Sequence, residues 1–421
     1  MQEVERNSSK GLLYTMRWCP VPILLFVITI IMPTELSVLV GSLRLSPYRV
    51  VLIVFFLPSV VRMLKNSKRV IWADIALLGA AFASFTSLSI NHDLGIAIES
   101  GGVRALEMFG PYALARSYIK NEKQFWGSVS ALFVVVIPLG ILAVIESVTR
   151  VHFLKNIMSV ISGTPFVNMI EPRFGLDRAY STFDHPILYG VFVSSLIGLA
   201  IFGVSWVYKK KINILRVLII FFATIASLSS GALAAMVMQF FLIFWVRITR
   251  KFKKRWLLLF GAGGVFYVFV NLLATRSAFV VLLTLFVFSS NTAYYRILIF
   301  EYGIENVYAN PWFGIGFHDW SRPEWMASGS IDNFWLVEAM TYGVPNLILV
   351  LVCIWFAVGR FWLERDRMFG SLRFSYMLGL VGMMMAGCTV HFWNNLFVYF
   401  FFYVGMGGWF SGVQTSSPRK R

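Results

Sequence analysis

The chain has 421 residues, 58% of them hydrophobic, with 40 Phe and only 14% charged. A soluble domain is about a quarter charged, so soluble domains are excluded and a polytopic membrane protein is expected. The net charge of +17 sits in short clusters between apolar runs, which membrane topology explains and nucleic-acid binding does not.

Met1 to Lys10 is polar and mixed in charge. The apolar run after it exceeds signal-peptide length and has no small-residue cleavage site, so it reads as a retained first helix. With about 20 apolar residues per span, about twelve transmembrane helices are expected, roughly 19–40, 48–64, 71–90, 95–116, 125–147, 186–207, 212–230, 231–248, 256–273, 334–358, 374–391 and 395–412. The fourth carries charges, and the seventh and eighth meet at Ser229-Ser230-Gly231, where a tight turn must fall. The expected fold class is an all-α polytopic membrane protein, a single membrane domain over 1–421. Two long connections, 148–185 and 274–333, stand out from short ones and are more often functional than idle. Cys19, Cys353 and Cys388 lie in or beside apolar runs without a CxxC pair, which argues against a disulfide framework or a metal site.

Basic clusters alternate with the helices. Arg62/Lys65/Lys68/Arg69, Arg116/Lys120/Lys123, Lys209–Lys211, Arg247–Arg255 and Arg360–Arg373 fall on the same side as both termini. The positive-inside rule makes that side cytoplasmic. The expected location is therefore the bacterial inner (cytoplasmic) membrane, multi-pass, with both termini cytoplasmic. His92, His152, His185, His318 and His391 and both long connections then fall at the outer face, where polar chemistry is expected.

Within 274–333, the apolar run Ala278 to Phe288 would reach about 16 Å as a helix, roughly half the hydrocarbon core. It reads as a short interfacial or re-entrant helix. Ile297, Phe300, Ile304 and Tyr308 recur at helical spacing and predict an amphipathic helix over about 293–308, ended by Asn310-Pro311.

Four groups of residues could carry chemistry. Arg104 lies at membrane depth with Glu99 and Glu107, as a structural ion pair or as a guanidinium offered to a phosphate. Arg178 precedes Asp184-His185-Pro186, where Pro186 suits a first helical turn and Asp184 an N-cap. A helix N-terminus beside an arginine is an anion site, with His185 in reach. Arg296 is followed by Trp312, His318 and Trp320; these aromatics form either an interfacial belt or a platform for sugar rings. Asp332 before Asn333 reads either as a plain N-cap or as a carboxylate able to take a proton from a sugar hydroxyl. Glu35, Glu146 and His318 are lesser candidates for chemistry.

Four stretches, in order, resemble the O-antigen ligase and O-antigen polymerase superfamily of bacterial inner-membrane proteins. Arg178…Ser181-Thr182-Phe183-Asp184-His185-Pro186…Gly190 is similar to the family's Arg-x-x-Gly-Thr-Phe-x-x-Pro stretch. Leu228-Ser229-Ser230-Gly231-Ala232 resembles its Ser-Arg-Gly turn, and Arg296…Asn310-Pro311-Trp312-Phe313-Gly314-Ile315-Gly316 its Arg-…-Pro-x-x-Gly-x-Gly string. Asp332-Asn333-x-x-Leu336…Tyr342-Gly343 resembles its His-Asn-x-x-Leu-…-Gly string, and Glu146-Ser147-Val148-Thr149 is a softer match.

The resemblance implies a metal-independent membrane glycosyltransferase without cofactor. Its partners would be an undecaprenyl-pyrophosphate-linked oligosaccharide, an acceptor glycan and membrane lipids, with room for a flippase and a chain-length regulator. By motif, Arg296 takes the pyrophosphate role. Two departures shape the expectation: Ser230 stands at the turn's arginine, and Asp332 at the histidine before Asn333. Both positions are typical of ligases, so their loss favours a polymerase of exopolysaccharide or O-antigen repeat units, with Asp332 as base. Arg178 or Arg104 would supply a second cation. The alternatives are a ligase joining O-antigen to lipid A-core in lipopolysaccharide synthesis, and a transporter or flippase of lipid-linked glycan. The latter would carry inverted repeats with broken helices, and no repeat is visible in the sequence.

Overall fold

A computed structural model describes residues 12–66, 70–163, 165–201, 214–273, 290–326, 328–358 and 367–410. The described chain is almost wholly helical. In order, its helices are α1 (Leu12–Met16), α2 (Val21–Ile30), α3 (Pro47–Asn66), α4 (Trp72–Asn91), α5 (Leu94–Tyr118) and α6 (Glu122–Thr149). Then follow α7 (Phe153–Ser162), α8 (Pro186–Ser194), α9 (Ile214–Ala226), α10 (Ser230–Ile248), α11 (Arg255–Leu273) and α12 (Ser290–Ala309). The last are α13 (Phe334–Tyr342), α14 (Val344–Val358), α15 (Arg367–Gly387) and α16 (Asn394–Met406).

Among the described residues, five helical segments are long and apolar enough to cross a membrane: Pro47–Lys65, Trp72–Asn91, Glu122–Thr149, Ser230–Lys251 and Arg255–Leu273. Shorter apolar helices such as Val21–Ile30, Pro186–Ile201 and Val344–Ala357 lie among them. The bundle is thus multi-pass, but the described helices do not give a count of twelve full spans. α4 packs on α14, α16 and α3 on α5, and α10 on α15. α16 is buried along its whole length, whereas α11 buries no residue within the chain, as a helix facing lipid would. The run Ala278 to Phe288 lies outside the described residues, as do Arg276 and Lys209–Lys211.

Three expected elements differ. The helix expected over 19–40 ends at Ile30, because Pro33 has no N–H to continue it. The chain then turns into an antiparallel hairpin, β1 (Val38–Val40) with β2 (Leu43–Leu45), around Gly41 at φ +65. Arg44 folds back to donate to the Thr34 carbonyl at 2.7 Å. The connection over 148–185 contains α7, placed beside the hairpin by Lys155 pairing with Glu35 at 2.6 Å.

The helix expected over 334–358 is broken at Gly343, between α13 and α14. The carbonyls left over at the end of α13 are taken up by the 310–316 loop. Ile315 N–H donates to the Met340 carbonyl at 2.9 Å and Gly316 N–H to the Thr341 carbonyl at 3.0 Å, while Val344 N–H donates to Pro311 at 2.8 Å. The loop lies flush because two positions lack a side chain. A Cβ on Gly314 (φ +62) would sit 2.5 Å from the Met340 carbonyl oxygen, and one on Gly343 (φ +88) would strike the Trp312 carbonyl. The glycines of the Pro-Trp-Phe-Gly-Ile-Gly string are therefore docking positions. The helix predicted before it is present as α12, and its C-terminal end precedes this loop.

Candidate functional site

α13 starts beside the α15–α16 connection, because Phe334 N–H donates to the Val390 carbonyl at 3.0 Å. Asn333, not Asp332, caps α13: its Oδ1 accepts from Leu336 N–H at 3.0 Å. The cap reading of Asp332 is thereby corrected, and its carboxylate is left for the cavity in front of the helix. Asp184 is likewise not the cap of α8. His185 takes that place, its Nδ1 accepting from Ile187 N–H at 3.1 Å, while Asp184 accepts from Thr34 at 2.5 Å and Asn394 at 2.7 Å.

The stretch that carries Arg178 is pinned by Glu146 near the end of α6. One of its carboxylate oxygens accepts from Tyr180 N–H at 2.9 Å and lies 2.7 Å from His152 Nδ1. Ala179 N–H donates to the Ala226 carbonyl at 2.9 Å. The turn after α9 holds a second arginine, since Arg173 donates to the Leu228 carbonyl at 2.8 Å.

These anchors converge on one cavity of about 720 Å³, within the range of ligand sites. Arg173, Arg178, His185, Ser229, Ser230, Arg296, Asp332, His391 and Trp393 are among the residues that line it. Its charged lining is three guanidiniums against one carboxylate. Arg296 is 7% exposed and donates to Ser230 Oγ at 3.2 Å. Its Nε and Nη1 are buried with no hydrogen-bond partner among the described residues. Arg178 is also 7% exposed and has no hydrogen bond or ion pair to a described residue. Buried charges are normally paired, so two guanidiniums in one cavity that form no ion pair with a described residue mark a place for an anion.

The electrostatics agree. Burial, reinforced by Arg173, brings Arg178 down to about 10, still charged at neutral pH. Burial also lowers Arg296, against the pull of Asp332. Burial raises the Asp332 carboxyl above the usual carboxylate range, opposed by Arg296 and a hydrogen bond from Ser330. Burial, with Arg178 and Arg173 adding to it, lowers His185 to about 4, so it is neutral, as its acceptor role at the cap requires. A neutral His185 leaves the arginines as the cavity's cations.

Arg104 does not join this cavity, and its partner is not Glu107. Its Nη2 lies 2.5 Å from Glu338 on α13 and its Nε donates to Ser84 at 3.0 Å, with the guanidinium 3.7 Å above the Tyr342 ring. Glu107 instead takes Arg49 at 2.7 Å. Arg104 lines a second cavity of about 530 Å³, which shares Val337, His391 and Trp393 with the first.

Trp312, Trp320 and His318 line neither cavity. Trp312 is exposed. Trp320 is buried against Met326 and Leu336 and donates to the Gly329 carbonyl at 3.1 Å, which supports the cavity wall from behind. His318 stacks on His92 with ring centroids 4.5 Å apart and contacts the Asn91 carbonyl at 2.9 Å. The aromatic that does face both cavities is Trp393, beside His391. From the sequence, His391 stands out only as one of five outer-face histidines, and Trp393 does not stand out. The signal was the polar and aromatic string His391-Phe392-Trp393-Asn394-Asn395 between two apolar helices.

Residues 215–351 match the family described as O-antigen ligase. That stretch, about a third of the chain, is similar to the O-antigen ligase family, and the similarity supports an O-antigen ligase/polymerase-like, glycosyltransferase-like function. It takes in Ser230, Arg296 and Asp332 but neither Arg178 nor His391. No curated protein matches the chain.

Proposed function

We propose that this protein polymerises lipid-linked polysaccharide repeat units, of exopolysaccharide or O-antigen, at the outer face of the bacterial inner membrane. The donor is a glycan on undecaprenyl pyrophosphate and the acceptor is a sugar hydroxyl. One observation carries the reading: Arg296 and Arg178 bring two buried positive charges, neither in an ion pair with a described residue, to a cavity whose lining carries a single carboxylate, Asp332. A diphosphate supplies the missing negative charge, and its departure is eased as cations neutralise it. No metal has to be invoked for that neutralisation. The acceptor oxygen then bonds to the anomeric carbon, the bond from that carbon to the diphosphate breaks, and Asp332 takes the hydroxyl proton.

The polymerase reading is favoured over ligation by the two ligase-typical positions that differ. Ser230 replaces a cation, and its hydroxyl instead accepts from Arg296. Arg173 and Arg178, from a different segment, bring positive charge to the same cavity.

The test is the lipid-linked glycan pool of a strain carrying Arg296→Ala as its sole copy. Single repeat units on the lipid are expected. Long chains unattached to the cell surface would mean a ligase, units held at the cytoplasmic face a transporter, and normal chains would remove Arg296 from the chemistry.

A further inference from the structure

The second cavity differs from the first in one physical respect: two of its three arginines are ion-paired, and Glu99 adds a further carboxylate to its wall. Arg49 pairs with Glu107, Arg104 with Glu338, and Arg44 donates to the Thr34 carbonyl. With those two pairs made, and Glu99 and Glu107 on its wall, this cavity does not call for an anion as the first one does. What remains is a half-open space with hydroxyl-bearing and aromatic walls, among them Ser100, Thr341, Tyr342, Phe397 and Trp393. Such a lining suits an uncharged polar ring, whose hydroxyls need hydrogen-bond partners and whose C–H face needs an apolar one.

The wall shared with the first cavity is firmly held. Trp393 stacks beside His391 with centroids 6.0 Å apart and leans on His185 at 5.8 Å. The next residue, Asn394, is tied to Asp184 at 2.7 Å. His391 itself carries a buried Nδ1 with no hydrogen-bond partner among the described residues. An unmade hydrogen bond on a buried ring nitrogen is costly, and this one lies where both cavities reach it.

We propose that the second cavity is the acceptor subsite, shaped for a neutral sugar unit, and that His391 Nδ1 accepts a hydrogen bond from the acceptor hydroxyl where the two cavities meet. This rests on the first cavity holding the donor diphosphate. The hydroxyl oxygen forms the bond to the anomeric carbon of the donor's first sugar. The bond from that carbon to the diphosphate breaks, and its electron pair leaves with the polyprenyl diphosphate. The hydroxyl proton passes to Asp332. His391 orients the nucleophile and is not the final base; burial lowers its imidazole to about 4, too weak to keep the proton.

Val103→Trp, which fills the second cavity, and His391→Ala test this beside Arg296→Ala. Each is read twice: by the chain length of lipid-linked glycan in cells, and by thermal protection of the purified protein with inorganic pyrophosphate. Val103→Trp and His391→Ala are expected to raise the pool of single repeat units by about 10-fold or more while pyrophosphate protection stays as in wild type. His391→Gln, which keeps an acceptor atom, recovers part of the chain length. Arg296→Ala loses both readouts. Normal chain length in Val103→Trp or His391→Ala, with Arg296→Ala defective, overturns the acceptor subsite alone, as does loss of pyrophosphate protection in either. Normal chains in Arg296→Ala overturn the donor reading instead.

Discussion

Arg296 and Asp332 face the same cavity without forming an ion pair: among the described residues no carboxylate oxygen lies within 4.0 Å of the guanidinium, which donates to Ser230. Two opposite charges that share a buried space and stay apart are arranged around something that fits between them. The contrast is Arg104, also largely shielded but closed on Glu338. One arginine is kept open and the other is used up.

That contrast predicts opposite stability effects for the same substitution. Arg296→Met removes an uncompensated buried cation and should leave thermal stability within about 1 kcal/mol of wild type, or raise it, while abolishing polymer. Arg104→Met strands the Glu338 carboxylate and should cost about 3–5 kcal/mol. Unfolding of the two purified variants, set beside their glycan profiles, checks both. An Arg296→Met protein as unstable as Arg104→Met would show that Arg296 holds the fold together.

Asp332 gives a second prediction, through pH. Burial raises its carboxyl in the folded state. Folding therefore favours the protonated form, and the charged form costs stability at any pH above the ordinary carboxylate value. Asp332→Asn should unfold at a higher temperature than wild type at pH 7, and the gain should vanish in acid, where wild type is protonated in both states. Activity should move the other way, lost in Asp332→Asn at every pH. In wild type its acidic limb should lie above the usual carboxylate range. Removing Arg296, which opposes the shift, should move the carboxyl higher still, readable as a larger stability gain from Asn in that background.

Much of this site could be read from the chain, and the misses have physical causes. Arg178, Arg296 and Asp332 stand out because a charge beside an apolar run needs a reason. Their neighbours in one cavity follow from where those runs end. The caps could not be settled that way: Asp184-His185 and Asp332-Asn333 each offer two candidates, and tertiary partners, Thr34 and Asn394 for Asp184, decide between them. Arg104 has Glu107 at helical spacing and still pairs with Glu338, from a helix 234 positions away. His391 was hidden because its significance comes from the docking of α13 against Val390. The 38–45 hairpin was hidden by hydropathy, since Val38-Leu39-Val40 suits a span as well as a strand. Pro33, inside the expected span, is the residue at which a helix has to stop.

His185 provides a further pH effect, with the opposite sign to Asp332. Its folded value is lowered to about 4 by burial and the nearby arginines. Its contribution to stability is complete above the free histidine value of about 6.5 and is lost as pH falls from there toward 4. His185→Asn puts a capping oxygen in place of the ring nitrogen and should unfold like wild type at pH 7 while losing this pH dependence. His185→Ala removes the cap and should cost about 1 kcal/mol at pH 7. Melting temperatures of the three proteins at pH 7 and pH 5 separate these outcomes. Identical pH profiles for wild type and His185→Asn would show that the imidazole does not titrate in this window.

The break between α13 and α14 yields the last prediction, because it links a backbone feature to the cavities. Gly343 at φ +88 lies where a side chain would strike the Trp312 carbonyl. Gly343→Ala should cost about 1–3 kcal/mol from the backbone alone, because φ +88 with ψ 160 is a conformation essentially reserved for glycine, plus the displacement of the 310–316 loop. That loop holds the end of α13 through Met340 and Thr341, and α13 carries Val337, which lines both cavities, and Glu338, which holds Arg104. Undocking the loop should therefore expose it to protease and reduce polymer length without touching any charged group. Gly261→Ala on α11 has open space around its Cβ and should change neither. Limited proteolysis of the two variants in membranes, with glycan profiling of the same cells, makes the comparison. A Gly343→Ala loop that resists protease as wild type does would show that the α13 end is held by contacts other than these backbone hydrogen bonds.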